Sequence, residues 1–237
     1  MKFQNLNKAP LFERIIAALI FKISIFKFIS SRLRYAGEIA DFSWFQKIYF
    51  GRIKFNIKRE HIWRDIELKL GNEVTFVELG VASGYLTGWW LSPLRKSLTT
   101  RKFEYHGFDS FQGLPNRWRN FDKGAFTTNG VTPDINNSDL TFHVGLIENT
   151  LNHNLAKQVF TGNQLVIFFD LDLFDPSFHG YSIIRPYLKK GDILYFDEAR
   201  DADERKLLEM HVMKDFLLTP ISTSYSNVAF SIASISI

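Results

Sequence analysis

From residue 74 onward, short and mostly apolar runs recur along the chain: Thr75 to Leu79, Tyr105 to Phe108, Thr141 to Val144, Leu165 to Phe169 and Ile193 to Phe196. Each is rich in β-branched or aromatic residues and too short for a helix. Such runs are expected of strands buried on both faces of a parallel sheet. Stretches with helical character separate them: a helix beginning near Tyr85, a helix and turn between Trp89 and Lys102, Ser177 to Tyr187, and Asp203 to Lys214. This alternation predicts an α/β protein with a doubly wound sheet. Two further runs, Phe216 to Ser222 and Asn227 to Ile235, read as a hairpin at one edge, giving a mostly parallel seven-stranded sheet.

The first boundary falls near Leu70-Gly71-Asn72 and divides a helical N-terminal extension, 1–70, from the sheet domain, 71–237. Within Leu11 to Arg34, apolar Phe12, Ile15, Ile16, Leu19, Ile23 and Phe26 recur at helical spacing between basic residues. Residues 1–69 hold 14 Lys or Arg against 6 Asp or Glu, so the net charge of +4 conceals a basic N-terminus and an acidic remainder. Such a helix could lie on an anionic membrane surface. Its more ordinary use is to pack on the domain or on a second copy in a homodimer. The longest charge-free run, Ile15 to Phe21, is far below the roughly 20 apolar residues a bilayer span requires, and no small-residue cleavage pattern follows. The absence of a base-stacking motif argues against a nucleic-acid partner.

With 237 residues, 46% hydrophobic and 23% charged, the chain suits one globular domain plus its extension. The absence of cysteine excludes disulfides, thiol nucleophiles and Cys-based zinc sites. It permits a reducing, cytoplasmic location with peripheral membrane contact through 11–34 as an option. Any metal must be held by oxygen or histidine.

The first run continues into Glu78-Leu79-Gly80-Val81-Ala82-Ser83-Gly84-Tyr85, a strand end, a turn and the start of a helix. Gly80 and Gly84 permit positive φ and close backbone approach, and Ser83, Gly84 and Tyr85 lead into a helix with free amides. The crevice at the strand ends is the expected ligand site. Glu-x-Gly-x-x-x-Gly differs from the Gly-x-Gly-x-x-Gly that cradles a pyrophosphate. A carboxylate at this turn suits S-adenosylmethionine, whose methionyl portion is cationic and which carries no pyrophosphate. Asp109, closing the second run, is placed to accept from ribose hydroxyls.

The fourth run delivers Asp170 and Asp172, and the fifth Asp197 and Glu198. Packed without a cation these carboxylates would repel one another. A hard ion such as Mg²⁺, held by Asp170, Asp197 and Glu198, would relieve that repulsion. Asp172 could then act as general base on an acceptor hydroxyl, with Asp170 beside it in the catalytic pair. Asp172 could instead cap the following helix, the role that Asp175-Pro176 suggests for Asp175. The loop Gln112 to Asp139, which carries Trp118, Arg119 and Phe126, reads equally as a lid or a surface excursion.

Phe108-Asp109-Ser110-Phe111-Gln112-Gly113-Leu114-Pro115, Gly145-Leu146-Ile147-Glu148-Asn149-Thr150-Leu151 and Asp170-Leu171-Asp172-Leu173-Phe174 together resemble the macrocin O-methyltransferase family. The likeness covers about residues 74–198. It implies a class I, Rossmann-like methyltransferase that transfers a methyl group from S-adenosylmethionine to a sugar hydroxyl with Mg²⁺. It also implies cofactor contacts at Glu78, Gly80 and Asp109, with Ser110 and Phe111 nearby and Leu146 and Ile147, after Gly145, beside the adenine. Asp170, Asp197 and Glu198 would be the metal ligands, Asp172 the base, and a glycosidic small molecule the acceptor. The chain departs from the family at Glu198, where a second aspartate is usual, at Gln112, and at Phe174-Asp175-Pro176. A catalytically inactive nucleoside-binding or interaction protein on the same fold is the alternative.

Overall fold

The computed structural model describes residues 24–93, 98 and 100–236, with side chains described from Arg32 onward. The apolar runs become β1 (Glu73–Leu79), β2 (Lys102–Asp109), β3 (Leu140–Val144), β4 (Gln164–Phe169) and β5 (Ile193–Phe196), followed by the hairpin β6 (Phe216–Thr223) and β7 (Val228–Ile235). The strand order is β3-β2-β1-β4-β5-β7-β6, with β7 antiparallel to both of its neighbours. The predicted seven-stranded, mostly parallel sheet is therefore observed. β2 begins three residues before its apolar run because Lys102, Phe103 and Glu104 are recruited by backbone pairing with Glu73, Val74 and Thr75, which hydrophobicity does not signal.

Side chains alternate across the strands and sort into two apolar layers. Val77, Leu79, Ile167, Phe169, Leu194 and Phe196 pack on one face with Tyr181 and Ile184 of α6 (Phe174–Ile184). Phe76, Tyr105, Phe168 and Tyr195 pack on the other with Leu86 and Trp90 of α3 (Tyr85–Trp90).

The N-terminal residues contribute to both layers. Phe42 and Phe45 of α1 (Ser24–Phe50) enter the first, and Ile62, Trp63 and Ile66 of α2 (Arg59–Glu67) the second. The link between these helices runs along the edge strand β6, where Asn56 N–H donates to the Thr223 carbonyl at 2.7 Å and Thr223 N–H to that of Lys54 at 2.9 Å. Of the expected amphipathic helix Leu11 to Arg34, residues 11–23 lie outside the described residues; the remainder lies in α1. Among the described residues no helix is long and apolar enough to cross a membrane.

Short helices complete the fold: α4 (Ile147–Thr150), α5 (His153–Val159), α7 (Ala202–Leu207) and α8 (Met213–Asp215). The helix expected over Asp203 to Lys214 is interrupted, since a π-helical turn at Leu208–Val212 separates α7 from α8. Asp175 is not the cap of α6. Leu173 holds that position without a side-chain bond, and Asp175 lies in the first turn.

Candidate active site

The chemistry-bearing residues follow their strands without a break. Gly80 N–H donates to the Phe108 carbonyl at 2.9 Å, Gly145 N–H to that of Asp109 at 2.9 Å, Asp170 N–H to that of Leu79 at 2.9 Å and Asp197 N–H to that of Phe169 at 3.0 Å. The ladder thus extends one residue past several strands and fixes the crevice wall. A cavity of about 440 Å³ opens there, within the range of small-ligand sites.

Ten of the residues singled out in the sequence line it: Gly80, Asp109, Ser110, Gly145, Leu146, Ile147, Asp170, Asp172, Asp197 and Glu198. Gly80 adopts φ +95°, and a Cβ there would sit 1.9 Å from the Asp170 carbonyl oxygen. Only a residue without a side chain lets these two turns meet. Asp109 is already engaged with the backbone. Its Oδ2 accepts from Val81 N–H at 2.8 Å and Ala82 N–H at 2.7 Å, and its Oδ1 from Phe111 N–H at 2.6 Å. It thereby ties the first turn to the second and retains about one lone-pair site for a ligand hydroxyl.

Glu78, Ser83, Gly84, Tyr85 and Phe111 are not in the lining. Glu78 shares its face of β1 with Phe76, so its carboxylate points into the second apolar layer and is 1% exposed. It accepts from Thr87 Oγ1 at 2.5 Å and Tyr105 Oη at 2.6 Å, and burial pushes its carboxyl up to about 8. Its expected contact with the methionyl end therefore has no direct route, because the strand register turns it away from the crevice. Tyr85 donates to Glu60 Oε1 at 2.6 Å. Phe111 is buried behind the second turn at φ +57°, and Gly84 packs against Pro133.

Asp170, Asp172, Asp197 and Glu198 share the end of the cavity beneath β4 and β5. Asp172 adopts φ +62° and makes no cap bond to α6, which removes the capping role. A left-handed non-glycine residue in a site is strain held in place by its surroundings. Ala82, Arg119 and Phe126 also line the cavity at positive φ. Burial, then the charges of Glu198 and Asp197, raise the Asp172 carboxyl to about 7. Burial and Asp197 raise Glu198 to about 7. Burial, Asp197 and Asp172 lift Asp170 well above the carboxylate range.

Arginines supply the counter-charge. Arg59 of α2 reaches Asp197, its Nη1 lying 3.1 Å from Oδ2 and 3.4 Å from Oδ1. Arg119 pairs with Asp201, and its Nη1 is 4.0 Å from Glu198 Oε2. Buried Arg200 approaches the same oxygen at 3.6 Å and lies over the Tyr35 ring. Arg59 carries no local sequence signal for the site, since it meets Asp197 across 138 positions.

The Mg²⁺ implied by the resemblance does not fit these residues as they are arranged. Asp197 Oδ1 also accepts from Tyr195 Oη at 2.6 Å and Asn227 Nδ2 at 2.9 Å, so protein donors surround the carboxylate. A divalent ion there would have to share the carboxylate with the positive charge of Arg59. Among the described residues no group of three or more Asp, Glu, His or Cys is disposed to hold a metal.

The loop over 112–139 forms the opposite wall. Trp118 and Phe121 stack at 5.8 Å with 14° between planes, and Phe121 meets Phe126 at 4.8 Å; all three line the cavity. The histidines stay outside it. His179 bonds the Leu151 carbonyl at 3.1 Å, and His106 and His143 bond each other at 3.1 Å across β2 and β3.

No family model and no curated protein matches this chain. Solved structures share its fold. A calicheamicin methyltransferase, CalS11, is 17% identical with a TM-score of 0.55, over 96% of this chain and 88% of that one. An apo structure of CalS11, described as a TDP-rhamnose 3′-O-methyltransferase, is 17% identical with a TM-score of 0.50, over 96% of this chain and 90% of that one. The O-methyltransferase NovP is 17% identical with a TM-score of 0.51, over 74% of this chain and 77% of that one.

Proposed function

We propose that this chain transfers a methyl group from S-adenosylmethionine to a hydroxyl of a sugar or another polyhydroxylated small molecule. One observation carries this reading: Gly80, Asp109, Ile147, Asp170 and Asp172, drawn from four strand ends, converge on a single cavity. The charge of that cavity points the same way. Asp109, Glu148, Asp170, Asp172, Asp197 and Glu198 line it against Arg59 and Arg119. A sulfonium cation suits this balance, whereas a pyrophosphate would be repelled.

The cofactor supplies an electrophilic methyl group on sulfur. The turns at Gly80 and Asp109 would hold its nucleoside and thioether, with Leu146 and Ile147 against the adenine. Trp118, Phe121 and Phe126 present apolar faces on which a sugar ring can lie, leaving its hydroxyls toward Asp172. Asp172, poised near neutrality, takes the hydroxyl proton as the C–S bond breaks and the C–O bond forms. Holding both partners in one cavity supplies much of the rate. Residues 71–237 would form the cofactor domain and the segment before them would close it, since Arg59, Tyr35 and Glu38 reach its ionic network. The occurrence of this fold in the sugar O-methyltransferase noted above supports the reading.

The test is transfer of labelled methyl from S-adenosylmethionine to free and glycosylated sugar acceptors, with chelator or with Mg²⁺. Turnover that survives the chelator is expected. Binding of S-adenosylhomocysteine with no transfer to any acceptor would favour the inactive alternative, and strict Mg²⁺ dependence would overturn the metal-free arrangement.

A further inference from the structure

Arg59 is unlike the other arginines of the site. Its position in the first turn of α2 is fixed by Ile62, Trp63 and Ile66, which are buried in the second apolar layer. Its guanidinium carbon lies 5.4 Å from the Trp63 ring centroid and 5.1 Å from that of Tyr85, so the head rests against a pair of aromatic rings whose own centroids are 5.8 Å apart. Cation–π contact of this kind holds a guanidinium without consuming its donors. Among the described residues only Nη1 is engaged, by Asp197. Nε and Nη2 have no described protein partner, and the side chain lines the cavity beside Gly80 and Asp170. Arg119, by contrast, is paired with Asp201 and lies near Glu38 and Glu198, and Arg200, whose Nε and Nη1 have no hydrogen-bond partner, does not line the cavity.

An oriented guanidinium with free donors facing a cavity is a site for a planar anion. The neighbours narrow its class. Asp109, Glu148 and Asp197 also line this cavity, so a phosphate dianion would meet like charge. A monoanion carried next to a cationic group would be accepted, its positive part facing the acids and its negative part facing Arg59. An α-amino acid has that pattern, and the methionyl end of the cofactor is one.

We infer that Arg59 receives the α-carboxylate of the bound cofactor, which makes α2 part of the cofactor site. This rests on the proposed function and adds a residue from outside the strand-end motifs. It also gives a physical reason for the contact with Asp197: the same guanidinium is pinned by one carboxylate and presented to another.

Calorimetry with two probes separates this inference from the reading beneath it. S-adenosylhomocysteine carries the amino-acid end; 5′-methylthioadenosine has the same nucleoside and thioether without it. The wild-type chain should prefer S-adenosylhomocysteine. Arg59→Met should weaken that ligand about 10- to 100-fold, as loss of a charged hydrogen-bonded pair does, while methylthioadenosine stays within about twofold. Retained methylthioadenosine binding also shows that the variant's site is folded. Arg59→Lys, which keeps the charge but not the fork, should fall between wild type and Arg59→Met. Equal weakening of both probes, or weakening of neither, would overturn the assignment. Failure of the wild type to bind either probe would instead overturn the cofactor reading itself.

Discussion

Gly80 and Asp170 meet backbone to backbone where β1 and β4 leave the sheet, so closely that a Cβ on Gly80 would lie 1.9 Å from the Asp170 carbonyl oxygen. Neither atom group can yield cheaply, because Asp170 N–H is bonded to the Leu79 carbonyl and Gly80 N–H to that of Phe108. Gly80→Ala must therefore move the two turns apart, in addition to placing a side chain at φ +95°. The expected cost is about 2–4 kcal/mol of stability, from overpacking and backbone strain together. Denaturant titration checks the stability, and loss of S-adenosylhomocysteine binding should accompany it.

As the proposed base, Asp172 should set the pH dependence of turnover. Its carboxyl is raised to about 7 by burial and by Glu198, Asp197 and Asp201, against the opposing charge of Arg119. A base acts in its deprotonated form, so kcat should rise with pH through about 7 and level above it. Asp172→Asn should lower kcat by about 10²- to 10⁴-fold and abolish that rise, with S-adenosylhomocysteine affinity nearly intact. Full activity in the variant would remove Asp172 from the chemistry.

Substitution of Phe126 should separate acceptor binding from cofactor binding. It is 48% exposed, contacts Phe121 and lines the same cavity as Asp172. Phe126→Ala should raise the acceptor KM about tenfold, roughly the loss of one aromatic contact, without altering cofactor affinity. An unchanged KM would place the acceptor elsewhere.

Glu78 links the site's foundation to stability. Its folded carboxyl titrates near 8 against an ordinary 4.5, chiefly through burial. Below about 4.5 both folded and unfolded chains hold the proton, and the associated stability is fully present. As pH rises toward 8 the unfolded chain releases the proton and the folded chain does not, so stability declines. Glu78→Gln should remove about one proton from that slope between pH 5 and 8. Chemical denaturation across the range measures it; an unchanged slope would mean Glu78 is ionised in the folded protein.

The strand ends were legible because a strand buried on both faces must be written in apolar residues, and the acids that close β2, β4 and β5 stand out against them. The same property hid the orientation of Glu78. With both faces apolar, nothing in the alternation of Phe76, Val77 and Glu78 says which side of the turn opens to the crevice. Arg59 was not legible as a site residue, since it meets Asp197 across 138 positions and is placed by the packing of Trp63 rather than by a motif. Asp172 was read from its place after β4, but its left-handed backbone could not be, because no glycine marks it. The capping assigned to Asp175 followed from Asp-Pro alone, and the structure starts α6 two residues earlier.

The account turns on what enters the cavity at these strand ends. Calorimetric titration of the full chain with S-adenosylhomocysteine, and separately with NADH, tests it most directly. One-to-one binding of S-adenosylhomocysteine in the micromolar to submillimolar range common for enzyme substrates, with no heat from NADH, is the expected result. Binding of NADH with none of S-adenosylhomocysteine would contradict it.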